Sequence, residues 1–190
     1  MTHGTTSPMR RFFIALVVLV LGGGFISFLF GLGYHEGYAP EQPIPFSHKL
    51  HAGTYKIPCM YCHVTAEKSR HASVPSMNAC MNCHQLVKLD SPYIQKMHEL
   101  YNKGEAFQLV RVHDMPDHVY FNHSRHVTRG VQCETCHGNV AGMDRVYQAT
   151  KMSMGWCLDC HRGVTTPDYL YAEGQARGHV APVNCNTCHY

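Results

Sequence analysis

Cys59-Met60-Tyr61-Cys62-His63 is the stretch on which the reading of this chain turns. The pattern returns at Cys80-Met81-Asn82-Cys83-His84, Cys133-Glu134-Thr135-Cys136-His137, Cys157-Leu158-Asp159-Cys160-His161 and Cys185-Asn186-Thr187-Cys188-His189. These five motifs use all ten cysteines of the 190-residue chain. Two thiols at this spacing can add across the two vinyl groups of a porphyrin, and the adjoining imidazole reaches the iron as proximal ligand. Ten cysteines would otherwise suggest disulfides or zinc, but nothing in zinc chemistry requires a histidine directly after each pair. The spacing predicts five haem c, with His63, His84, His137, His161 and His189 as proximal ligands.

Working outward, residues 12–33 contain no charged side chain. At about 1.5 Å per residue that run spans a hydrocarbon core. Arg10 and Arg11 precede it, so the positive-inside rule puts residues 1–11 in the cytoplasm and residues 34–190 on the periplasmic side of the inner membrane. A cleaved signal with Ile14–Leu21 as its apolar core is the competing reading, but no Ala-x-Ala site follows. The arginine pair is read as topology-setting charge, because a twin-arginine route carries folded proteins. Gly22, Gly23 and Gly24 permit close helix packing and hint at a membrane partner. The formal charge of +3 supports no nucleic-acid inference.

The outer part cannot build an ordinary apolar core around five haems, so the haems are expected to be the core. The predicted fold is a mostly irregular, α-helical multihaem cytochrome c with one transmembrane helix and almost no sheet. A repeat is visible in it. Phe46-Ser47-His48-Lys49-Leu50-His51 precedes the first motif, and Phe121-Asn122-His123-Ser124-Arg125-His126 precedes the third. Met77 and Met154 each stand three residues ahead of the next motif. Two dihaem units follow, at about 44–90 and 117–163, with a terminal fifth haem in 164–190. One longer helix is expected between the units. Ser91 caps it, Pro92 opens it, Gly104 ends it, and Ile94, Met97 and Tyr101 share a face.

An electron shuttle needs a second ligand on each iron. Sixteen histidines, five of them in motifs, leave eleven. The strongest distal candidates are His48, His51, His123 and His126, because a His-x-x-His turn can send its imidazoles to two different haems. Met77 and Met154 come next, as ligands that raise the potential or as packing against porphyrin. His71, His113 and His179 are further options, with His113 held by the turn Asp114-Met115-Pro116. His3 lies on the wrong side of the membrane, and His35 reads as interfacial. Met97 reads as packing.

Pro43-Ile44-Pro45-Phe46-Ser47-His48-Lys49-Leu50-His51, the run Arg111–Ser124 and Ser153-Met154-Gly155-Trp156-Cys157-Leu158-Asp159-Cys160-His161-Arg162 carry a resemblance. The sequence resembles the membrane-anchored pentahaem subunit of bacterial alternative complex III. That resemblance implies three partners: a polytopic quinol-binding subunit, an iron–sulfur subunit of molybdopterin-enzyme type and a monohaem cytochrome subunit. It implies electrons passing from quinol to a cytochrome c, a copper protein or an oxidase. The chain would then be an electron carrier and not itself an enzyme. A single-anchor multihaem quinol dehydrogenase acting alone is the rival reading. A haem enzyme or gas sensor is a third, and neither an acid–base constellation nor a lysine-ligated motif supports it.

Overall fold

The computed structural model describes residues 7–31, 35–167 and 181–190. The chain divides into two units, residues 1–34 and 35–190. In the first, helix α1 runs Pro8–Gly31. Ser7 starts it: its side-chain oxygen accepts from the Arg10 amide at 3.3 Å and its carbonyl from the Arg11 amide at 3.1 Å. Pro8 follows in the first turn, where its missing N–H costs nothing. The 24 residues extend about 36 Å. Pro8–Leu29 has a mean hydropathy of 2.7, long and apolar enough to cross a membrane. The helix therefore begins four residues earlier than the uncharged run, because helix propagation does not require apolar side chains.

The second unit is built from short helices, and no strand occurs among the described residues. They are α2 (Cys59–Cys62), α3 (Met77–His84), α4 (Pro92–Lys103), α5 (His123–Val127), α6 (Cys133–His137), α7 (Met154–His161) and α8 (Cys185–Cys188). Each motif is thus one or two helical turns, preceded by an extended residue. Motifs one, three and five open on their first cysteine. Motifs two and four open on Met77 and Met154, one turn earlier.

Helix α4 matches its expected bounds, with Gly104 in the left-handed conformation at φ 70°. Ser91 occupies the cap position, but its side chain makes no capping bond; its carbonyl instead accepts the Gln95 amide at 3.0 Å. Ile94 and Met97 are buried with Ile44 and Met81, and Met77, Leu100 and Phe107 pack around them. Tyr101 is partly exposed. This four-residue cluster is the main apolar core, far too small for the unit it serves.

Two other contacts organise the unit, and they are reciprocal. His48 opens a π-helical turn, Lys49–Thr54. That turn rests on the loop after motif three: the Lys49 amide donates to Met143 O at 2.9 Å, and Ser47 and Lys49 both bind Asp144, at 2.8 and 3.0 Å. Gly53 lies directly against the Ala141 carbonyl, where a Cβ would not fit. Conversely, α5 rests on the loop after motif one, through the His123 amide on Arg70 O and the Ser124 amide on Ser69 O, at 3.2 and 3.1 Å. Gln148, wholly buried, fixes a third contact. Its side chain accepts the Asp114 amide and donates to Thr150 O, both at 2.9 Å.

Candidate metal centres

A histidine that gives Nε2 to a metal usually donates its Nδ1–H to a fixed acceptor, which sets tautomer and ring orientation. Four motif histidines do this with main-chain carbonyls. His63 Nδ1 lies 2.7 Å from Ser73 O, His84 Nδ1 3.0 Å from Val87 O, His161 Nδ1 2.7 Å from Pro182 O and His189 Nδ1 2.8 Å from His118 O. Three of the His-x-x-His residues do the same: His51 with Ser47 O at 2.8 Å, His123 with Arg70 O and His126 with Asn122 O, both at 2.9 Å. These contacts leave Nε2 for a metal. His48 is different, since its Nδ1 is buried without a partner. Such an orphaned nitrogen carries an unmet bonding requirement.

The imidazoles come in pairs. One iron bonded on both faces at about 2 Å places the two ring centres roughly 6 Å apart. His51 and His84 are 6.1 Å apart, His126 and His161 6.0 Å, and His123 and His137 6.3 Å with parallel planes. Each pair joins one His-x-x-His residue to one motif histidine. His63 is the ionisable neighbour that acts most strongly on His48. The described residues therefore fit haem: paired thiols on a helical turn, an adjoining oriented imidazole, and a second imidazole at the right spacing. The ten cysteines form no disulfide, and no group of three or more His, Cys, Asp and Glu converges among the described residues.

The cysteines also place the motifs relative to one another. Burial pushes the Cys80 thiol up, with Cys62 adding to it, and Cys62 in turn feels Cys59 and Cys83. Tyr61 in motif one accepts from Asn82 in motif two at 3.3 Å. Burial raises the Cys133 thiol, and Cys59, hydrogen-bonded to it, raises it further. Burial and then Cys160 and Cys157 push Cys136 up to about 11. Cys157 is raised by burial and next by Cys188. The neighbours run motif two, one, three, four, five.

Burial first, and neighbouring histidines second, push His48 and His137 down to about 4; burial also lowers His113 and His126. All are neutral near pH 7, so each keeps a ring-nitrogen lone pair. Unfolded histidines protonate near 6.5, so between that value and about 4 the unfolded chain binds more protons. The contribution of these histidines to stability is fully present above pH 6.5 and falls as pH drops through this window. An acid titration followed by near-UV dichroism and haem absorption should show that decline; constant stability from pH 7 to 4 would contradict it.

The other candidates are placed less favourably. Met77 packs against the Ile44–Met97 cluster, and Met154 is exposed at the start of α7. His71 is exposed. His113 sits beside His137, His35 pairs with Asp114 at 3.7 Å, and His3 and His179 lie outside the described residues. Two histidines escaped the sequence reading. His98 Nε2 lies 2.8 Å from His84 O, and His118 stacks on His189 at 5.4 Å. His98 was findable, because it follows Ile94 by four residues on the inner side of α4. No spacing marks His118.

Residues 119–190 match the family described as cytochrome c7 and related cytochrome c. The chain is similar to the multihaem cytochrome c subunit of menaquinone reductase from Nitratidesulfovibrio vulgaris, at 30% identity over 173 residues covering 79% of each chain.

Proposed function

The chain belongs to the multihaem c-type cytochromes, and from that membership we propose that it is the electron-transfer subunit of a quinone-linked membrane complex of the alternative complex III type, holding five haem c. Haem c supplies a one-electron carrier wherever it is bound. The observation that carries the reading is the spacing of the imidazole pairs, 6.0 to 6.3 Å. Residues placed to close both faces of an iron at these three motifs suit a carrier. His48 and His51 serve motifs one and two, and His123 and His126 serve three and four, as two dihaem units about 44–90 and 117–163. Motif five, in 164–190, takes its second ligand from Met154 or His179. Met154 is supported by its place one turn before Cys157, whose thiol neighbours Cys188.

The cysteine neighbours support a linear path with motifs two and five at its ends. Helix α1 anchors the chain, with residues 1–11 cytoplasmic and the haem domain, 34–190, on the periplasmic side. The partners are the quinol-binding, iron–sulfur and monohaem subunits, and the chain carries electrons without itself oxidising quinol. The relative's name favours a second reading with the same architecture, in which electrons run toward menaquinone.

His48→Ala and His123→Ala should each convert one haem from low-spin to high-spin, read by low-temperature spectra. Purification in mild detergent should bring the partners along, identified by mass, and the isolated chain should neither oxidise quinol nor reduce quinone. Unchanged spectra in both variants sink the ligand assignment. Quinol turnover by the chain alone sinks the carrier reading.

A further inference from the structure

Four motif histidines rest Nδ1 on a main-chain carbonyl, whereas His137 rests it on another imidazole. We propose that His113 is a positioning residue for His137 and not an iron ligand: its Nε2 accepts the His137 Nδ1–H, orients that ring and makes it a stronger electron donor than the other motif histidines.

The contact is 3.1 Å long, with ring centres 4.4 Å apart and planes at 86°. A histidine that gives Nε2 to a metal has only Nδ1–H left, and must donate it. The His113 nitrogen facing it must then be the unprotonated one, and its lone pair is committed to that bond. An imidazole nitrogen is a stronger base than a peptide carbonyl. It draws His137 further toward imidazolate, stabilises the oxidised iron and lowers the potential at motif three below that of an equivalent carbonyl-bonded site.

The surroundings hold His113 from both sides. Arg111 Nε donates to its carbonyl at 2.9 Å, and the next amide, of Asp114, donates to buried Gln148. Gln148 donates in turn to Thr150 O, and the Thr150 hydroxyl donates to Cys136 O at 3.1 Å. A closed circuit of hydrogen bonds thus leaves motif three at Cys136 and returns to it at His137.

The inference rests on motif three being a haem site. The test is a potentiometric titration with electron paramagnetic resonance on the full-length chain in its complex, for His113→Phe and His113→Gln. One haem should move to higher potential and change its low-spin g values in both variants, with haem content and low-spin fraction retained. The shift should be smaller in His113→Gln, whose amide oxygen accepts as a carbonyl does. If His113→Phe does not accumulate, the direction of the shift in His113→Gln decides. A new high-spin haem would make His113 an iron ligand and overturn the proposal, as would unmoved potentials. Failure of the functional reading would look different: the parent itself would lack a haem at motif three.

Discussion

Replacing Cys133 and Cys136 with Ser should divide the electron path, leaving one haem fewer and two groups of sites that no longer exchange electrons at a useful rate. Motif three touches motif one through the Cys59–Cys133 contact, and motif four through Cys136 and its neighbours Cys160 and Cys157. Tunnelling decays exponentially with distance, so a missing central carrier costs orders of magnitude in rate. Rapid-mixing reduction from one end should reduce only the sites on that side. The comparison is Cys185→Ser with Cys188→Ser, which removes a terminal site and should leave the remaining path intact. Equal reduction kinetics in the two double variants would refute the order two, one, three, four, five.

Gly53→Val should destabilise the outer domain by about 1–3 kcal/mol, the usual cost of overpacking. The obstacle is backbone, the Ala141 carbonyl, which cannot swing aside as a side chain can. The turn it would displace is the one that carries His48 and His51, and Ser47, whose carbonyl orients His51, lies at its start. High-spin character should therefore appear at motifs one and two while motifs three and four keep their spectra. Lys49→Met is the control. It removes an exposed ion pair with Asp144 worth roughly 0–1 kcal/mol. Denaturant unfolding and haem spectra measure both effects. A Gly53→Val protein as stable as Lys49→Met would show that the two loops do not bear on each other.

Covalent chemistry was legible in the sequence because it is local: Cys-x-x-Cys-His fits within one or two helical turns, and the structure makes each motif such a turn. Helix α4 was legible too, since Pro92, Gly104 and the Ile94–Met97 spacing are near-neighbour signals. The His-x-x-His turns could be named, yet their partners could not, because His126 meets His161 and His51 meets His84 across distances in sequence that no periodicity encodes. The neighbour of His113 was hidden for the same reason. A turn can fix a histidine locally, but its contact with His137, 24 residues on, is tertiary. The mutual seating of the two loops was invisible, as it depends on Gly53 meeting a carbonyl 88 positions later.

That mutual seating has a consequence for timing. Ser47 and Lys49 find their acceptor on Asp144, 97 and 95 residues downstream. Until a nascent chain extends past that point, the first His-x-x-His turn has nothing to settle against. Motifs one and two are consequently made before their surroundings close. The three-dimensional lock comes late, and a chain interrupted before residue 140 would keep its first two motifs without the platform on which the His48–His51 turn rests.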